Sequence, residues 1–204
     1  MSNVKLTYFP TRGIADIVRM LLYYGNIDFE DIRIPRDEWP SVRPSTPFGE
    51  MPVYEENGKV AWQSIAIARY LAKKVNLHGD SDWECLQIDA IGDTIADLRI
   101  KAVKIFYETD NEKREALKQT ILAETLPYYL EKFEKIVSEN GGHLVANKLT
   151  WVDILLTSVS ELCEALLEQE NIFEKYENLL KLKQEVRDIP AIKSFIENRP
   201  QSQY

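Results

Sequence analysis

The sequence predicts an α/β module followed by an all-helical domain, with the change of character just after Leu77. Three observations predict it. Period-2 alternation of apolar and polar residues is confined to the first third of the chain. Asn57-Gly58 lies between two short apolar-rich runs, the pattern of a tight hairpin. Beyond residue 83, apolar residues recur at spacings of three and four, and no strand pattern is found. The expected domains are 1–77 and 83–204, joined by the polar stretch His78-Gly79-Asp80-Ser81-Asp82. A length of 204 residues suits one or two domains at roughly 150 residues each.

Val4, Leu6 and Tyr8 alternate with Lys5 and Thr7, which reads as a strand. Ile14, Ile17, Val18, Leu21 and Leu22 then form one apolar helical face that ends near Gly25. Phe29 to Ile34 reads as a second short strand. Met51 to Glu55 and Lys59 to Trp62 read as the two arms of the hairpin. Ser64 is placed as the cap of a helix with Ile65, Ala68, Leu71, Ala72 and Val75 on one side. In the second part, Ile88, Ile91, Ile95, Leu98, Ala102 and Ile105 make one long stripe. A second long helix is expected from about Glu112 to Ser138, kinked at Pro127 and stopped by Asn140-Gly141-Gly142. Thr150 and Asp153 have capping-box spacing, with Asp where Glu or Gln is usual. Leu179 to Val186 is helical again, and Pro190 opens a last helix.

Composition removes several function classes. With 25 basic and 33 acidic residues the net charge is −8. Such a balance argues against sequence-independent nucleic-acid binding and against docking on anionic lipid, both of which need a basic face. The longest charge-free run, Val60 to Ala68, is far short of the roughly 20 apolar residues of a membrane span. The first ten residues carry no apolar core of a secretory signal. Two cysteines and two histidines form neither a disulfide framework nor a zinc pattern. The expected setting is cytoplasmic and reducing.

Three local features bear on chemistry. Thr7-Tyr8-Phe9-Pro10-Thr11-Arg12-Gly13 sets a tyrosine at the carboxyl end of a strand, where open α/β sheets take ligands. Pro47-Phe48-Gly49-Glu50-Met51-Pro52-Val53 starts a strand with a proline. A cis Met51-Pro52 bond there would turn the Met51 backbone outward to pair with a peptide; an ordinary trans loop satisfies the spacing equally. Gln63-Ser64 stands before a helix whose free amides suit a carboxylate. Each has a plain structural explanation when taken alone.

Together, in this order and ahead of an all-helical domain, these motifs resemble the cytosolic glutathione S-transferase family. The sigma class, with its insect transferases and glutathione-dependent prostaglandin D synthases, is most similar. The resemblance spans essentially the whole chain. It is most specific at Lys5-Leu6-Thr7-Tyr8-Phe9, Asp37-Glu38-Trp39-Pro40, Pro47 to Pro52 and Gln63 to Leu71. It implies a thioredoxin-like first domain (βαβ-ββα) beside the helical one, and glutathione as co-substrate. Tyr8 would stabilise the glutathione thiolate. Gln63 and Ser64 would meet the γ-glutamyl carboxylate, Met51 the cysteinyl backbone, and Trp39 and Arg43 the glycyl carboxylate, with Glu50 and Pro52 in the same site. Arg43 stands where the class usually has lysine.

The resemblance also implies a homodimer in which Asp97 reaches the partner's glutathione ammonium. Asp89, Asp93 and Asp97 share a helix face by their spacing. Ala96 breaks the acidic pair that some sigma enzymes use for metal, so no metal is expected. A pocket for a small hydrophobic electrophile is expected near Phe9, Gly13, Ile14, Arg99 and Leu155. Ile14 replaces the arginine of the prostaglandin synthases, which favours conjugation over the isomerase alternative. A non-catalytic crystallin-like or ligand-binding relative is the other alternative.

Overall fold

The computed structural model describes residues 3–202. Residues 1–2 and 203–204, at the outer limits of the two expected domains, lie outside the described residues. By its contacts the chain divides into two compact units. One ends at Asn76 and resumes at Ile189, and the other is Leu77–Asp188.

In the first unit β1 (Val4–Tyr8) leads through a 3-10 turn, Gly13–Ala15, into α1 (Asp16–Tyr24) and then β2 (Glu30–Arg33). A short helix α2 (Trp39–Val42) and two 3-10 turns follow, Arg43–Ser45 and Pro47–Gly49. β3 (Val53–Glu56) and β4 (Lys59–Trp62) form the hairpin, and α3 (Ser64–Lys74) leaves it. The sheet order is β2-β1-β3-β4, with β1 and β2 parallel and the other pairs antiparallel. This is the thioredoxin-like arrangement. A parallel pair needs a crossover, and α1 supplies it. Alternation puts Val4 and Leu6 inward, and the apolar faces of α1 (Ile17, Val18, Leu21) and α3 (Ile67, Leu71) complete the core.

The hairpin turn is Asn57-Gly58, with φ of 50° and 75°. Two positive φ values match the right-handed twist of the strands, and these two residue types tolerate them. β3 begins at Val53, after the proline, rather than at Met51.

α9 (Pro190–Asn198) packs on α1, with the Phe195 and Tyr23 rings 4.9 Å apart. Sequence periodicity grouped residues 189–204 with the helices before them. Contacts group α9 with the sheet unit, because periodicity reports that a face is apolar and not which element covers it.

The second unit contains α4 (Asp82–Tyr107), α5 (Asn111–Thr120), α6 (Leu126–Glu139), α7 (Trp151–Leu167) and α8 (Glu177–Asp188). The long helix expected over 112–138 is interrupted by a π-helical turn, Ile121–Thr125. Pro127 has no N–H to give the carbonyl four residues earlier, and a wider turn just ahead of it absorbs that loss. α7 is the centre of this unit, buried at every position from Trp151 to Cys163. It lies against α4 so closely that a Cβ on Gly92 would fall 2.4 Å from the Trp151 ring.

The capping box at Thr150 and Asp153 forms. The Asp153 carboxylate accepts from the Thr150 amide at 2.7 Å and the Thr150 hydroxyl at 3.1 Å. It also accepts from the Leu144 amide at 2.9 Å, which ties the preceding loop to the helix. Burial pushes this carboxyl up to about 6. Among the described residues no helix is long and apolar enough to cross a membrane.

Candidate functional site

Strand register brings the sequence motifs of the first unit to one end of the sheet. Thr7 pairs with Val53, so Tyr8, one residue on, faces the chain entering β3 at Met51-Pro52. Val53 pairs with Trp62, so Gln63 and Ser64 leave β4 at that same end. The Tyr8 carbonyl accepts from the Ile34 amide at 2.8 Å, which closes the β2 side. Four segments distant in sequence thus meet beyond the carboxyl end of β1, where open sheets hold ligands.

Tyr8 is half-buried. Gly13 follows it across the turn with φ of 50°, and a Cβ there would lie 2.6 Å from the Tyr8 hydroxyl. The Phe9 ring stands edge-on to Tyr8 and to Trp39, each at 5.6 Å. Arg36 lies over Phe9 at 4.9 Å. Trp39, half-buried at the start of α2, is therefore joined to the Tyr8 turn through one aromatic contact on each side.

The loop ahead of β3 is held by its own polar contacts. Arg43 is exposed and donates from Nε to the Gly49 carbonyl at 3.3 Å. Glu50 is extended, and its carboxylate accepts from the Gln63 amide at 3.3 Å. The Met51-Pro52 bond is cis, so the alternative that spacing left open is decided. Phe48 takes φ of 54°, remains 79% exposed, and stacks on Trp62 at 5.3 Å.

Ser64 does not cap α3. Gln63 takes that place, because its φ of 70° and ψ of 102° lie outside the helix while its carbonyl accepts from the Ile67 amide. Ser64 becomes the first helical residue and is buried. The free amides of the first turn and the positive helix end remain available to an anion, with no acidic side chain in that turn to compete. A non-glycine residue at such φ costs of order 1 kcal/mol or more and persists where surrounding structure enforces it.

Sequence reasoning passed over Asp16 and Arg19. Both are buried on α1, and Arg19 has no exposed surface. Arg19 donates to Asp16 and to the Thr11 carbonyl, each at 3.0 Å, and to Asp31 at 3.2 Å. Its guanidinium lies 5.8 Å from the centre of the Tyr8 ring. The available signal was a pair of opposite charges three apart within an otherwise apolar helix face.

Other expected residues lie in the second unit. Asp93 and Asp97 are exposed on α4 and Asp89 is half-buried. Arg99 is half-buried on the same helix, and Leu155 on α7 is 1% exposed. Phe9, Gly13 and Ile14 are half-buried in the first unit. Among the described residues no group of three or more His, Cys, Asp or Glu side chains is disposed to hold a metal ion.

A cavity of about 350 Å³ opens at the other end of the hairpin, lined by Tyr54, Glu56, Lys59, Val60, Ile67 and Tyr70. Glu56 there accepts from the Tyr70 hydroxyl at 2.5 Å and pairs with Lys74. Hydrogen bonds from Lys74 and Tyr70 hold its carboxyl below the usual range.

A family model described as the glutathione S-transferase N-terminal domain matches residues 4–73, and one for the C-terminal domain of the same family matches residues 96–199. The chain belongs to the glutathione S-transferase family. It is 40% identical over 200 residues to a glutathione S-transferase of Anopheles gambiae, covering 98% of both chains. Its fold matches that of prostaglandin synthase D of Nilaparvata lugens with a TM-score of 0.93 at 42% identity, over 98% of this chain and all of that one. It also matches a structure titled monomeric Na-GST-3, a glutathione S-transferase from Necator americanus, with a TM-score of 0.88 at 30% identity, over 99% and 100% of the two chains. The family model for the C-terminal domain extends through α9, which in this transferase packs with the sheet unit.

Proposed function

We propose that this glutathione transferase belongs to the sigma class, acts in the cytoplasm, and detoxifies small hydrophobic electrophiles such as lipid-peroxidation aldehydes. In this reading Tyr8 donates its hydroxyl to the glutathione sulfur. A free thiol near pKa 8.5 is only about 3% thiolate at pH 7. A hydrogen bond to a charged group is worth about 1.5–3 kcal/mol, or roughly one to two pKa units. Two units would make the bound sulfur about three-quarters thiolate, and the thiolate is the nucleophile. No protein base is required, which suits a chain with two histidines.

The observation that carries this reading is the register that gathers Tyr8, Met51-Pro52 and Gln63-Ser64 at one end of the sheet. Gln63, Ser64 and the amides of α3 would take the γ-glutamyl carboxylate. Met51 would pair its backbone with the cysteinyl unit, flanked by Glu50 and Pro52. Trp39 and Arg43 would take the glycyl carboxylate. Phe9, Gly13, Ile14, Arg99 and Leu155 are assigned to the electrophile.

A homodimer belongs to the same reading, with Asp97 serving the partner's glutathione ammonium. The exposed Phe48 beside Trp62 supports a covered surface there, since contiguous exposed aromatics mark association sites. Sedimentation that gives twice the 23.7 kDa chain mass, and weaker glutathione binding by Asp97→Ala, are the expected results.

Tyr8→Phe tests the central role. The conjugation rate with an activated aryl halide should fall and its acid limb should move to higher pH. An unchanged rate with an unchanged thiol titration would end the assignment. The likeness to a prostaglandin synthase supports a second reading, an isomerase that recycles glutathione. Turnover of an endoperoxide without consumption of glutathione would favour it, while Ile14 in place of arginine speaks for conjugation.

A further inference from the structure

Two contacts fasten the segment after Ile189 to the turn that follows Tyr8 and to the first residue of α1. Arg199 on the edge of α9 donates from Nη1 to Asp16 Oδ2 at 2.9 Å, across 183 residues of sequence. Arg12 donates from Nη2 to the Ser202 carbonyl at 3.1 Å, across 190 residues. Phe195 on the same helix packs against Tyr23 of α1.

The first contact continues inward. Asp16 uses its other oxygen to accept from Arg19 Nη1, and the same nitrogen holds the Thr11 carbonyl. Arg19 is wholly buried, with Asp31 as its second acid and the Tyr8 ring beside it. Arg33 in turn pairs with Asp31 at 2.7 Å. A continuous path of charged hydrogen bonds therefore runs from Arg199 through Asp16 and Arg19 to the backbone of residue 11. The second contact holds residue 12. Gly13, next in line, is the residue against which the Tyr8 hydroxyl is set.

The chemistry explains why this path bears on catalysis and not only on stability. Removing one partner from a buried charge network leaves the charge it faced uncompensated, which favours rearrangement of the partners that remain. Without Arg199, Asp16 has one cationic partner fewer, and Arg19 is free to turn toward it and away from the Thr11 carbonyl. The turn of residues 11–13 then loses a tether on the side facing Tyr8. A misplacement of about 1 Å in a group that stabilises a charge costs rate far more than it costs fold.

We propose that Arg199 and Arg12 are positioning residues: through Asp16, Arg19 and the Ser202 carbonyl they hold the turn that places the Tyr8 hydroxyl. This rests on the thiolate-stabilising role assigned above to Tyr8. It gives the last helix matched by the family's C-terminal domain model a task in the sheet unit.

The test uses the full chain with Arg199→Met, Arg199→Lys and Arg12→Met, and Tyr8→Phe as reference. The readouts are the pH profile of kcat/KM with an activated aryl halide and the Kd of glutathione. Arg199→Met should move the acid limb up by roughly half a unit to one unit, a three- to tenfold loss of rate on that limb. Glutathione affinity read below about pH 6, where the bound sulfur is protonated, should stay within about twofold, because a weaker hold on the thiolate alone leaves binding of the thiol unchanged. Arg199→Lys, which keeps the charge, should recover most of the profile. A profile that stays in place, or a change confined to KM or Kd, overturns the proposal. If Arg199→Met does not fold by circular dichroism, Arg12→Met decides by the same two outcomes. If Tyr8→Phe shifts the profile and neither arginine variant does, only this proposal falls. If Tyr8→Phe shifts nothing, the role of Tyr8 falls and this proposal with it.

Discussion

The Tyr8 hydroxyl occupies the space that a side chain on Gly13 would take: a Cβ built there lies 2.6 Å from the hydroxyl oxygen and 2.9 Å from the ring. Gly13 also has φ of 50°, a conformation that disfavours any side chain. Both constraints act on one residue, so the glycine is fixed by the tyrosine and by the turn together.

Gly13→Ala should therefore move the hydroxyl. The expected loss in kcat/KM is on the order of a hundredfold, from displacement of a reacting partner by about 1 Å. The stability cost should be only about 1–2 kcal/mol, from the left-handed backbone. Steady-state kinetics beside a thermal melt separates the two effects. Full activity in a folded variant would show that the turn does not hold the hydroxyl.

Asp153→Ala should be among the most damaging substitutions in the second unit. It leaves the buried Leu144 and Thr150 amides without their acceptor. Each such loss costs about 1–3 kcal/mol, so the total should reach about 3 kcal/mol or more. Asp153→Asn keeps an acceptor and should lose less. Urea unfolding of both variants checks the order.

Glu56→Gln gives a pH signature. Hydrogen bonds from Lys74 and Tyr70 depress the folded-state carboxyl below its ordinary 4.5, so the folded protein releases this proton more readily than the unfolded chain. The resulting stability is present above about pH 4.5 and is lost as pH falls through the folded value. The gap in melting temperature between wild type and Glu56→Gln should be widest near pH 7 and close progressively below pH 4.5. A gap that widens on acidification would contradict the network.

The two thiols should differ in reactivity. Cys163 is wholly buried on α7, and burial pushes its thiol up to about 12. Cys85 is half-buried near the start of α4. An alkylating reagent at pH 8 should modify Cys85 alone in the native protein and both after denaturation, as read by intact mass. Rapid native modification of Cys163 would show that α7 opens.

The elements were largely legible in the sequence. Alternation over Val4 to Tyr8, the Asn57-Gly58 turn and the Thr150–Asp153 box each act over a few residues, so short-range pattern carries them. The interrupted helix at Ile121–Thr125 was legible in cause but not in form. Pro127 announces a lost hydrogen bond, and only the packing of the neighbouring turn selects a π turn over a kink. Gln63 shows the opposite case. Its side chain gives no hint of a positive φ, and the exit from β4 into α3 imposes it.

The sequence by itself determined the kinds of element, the order of the motifs and the family to which they belong, because those reside in local periodicity and in residue types at fixed spacing. Tertiary structure alone decided that Tyr8, Pro52 and Gln63 share one end of a sheet, since strand register is a pairing of distant segments. It alone decided that Arg19 lies buried beside the Tyr8 ring with Asp16 as its partner, and that Arg199 reaches Asp16. A charge on an apolar helix face can be read from a sequence, but its partner 183 residues away cannot, because only the closed chain brings the two together.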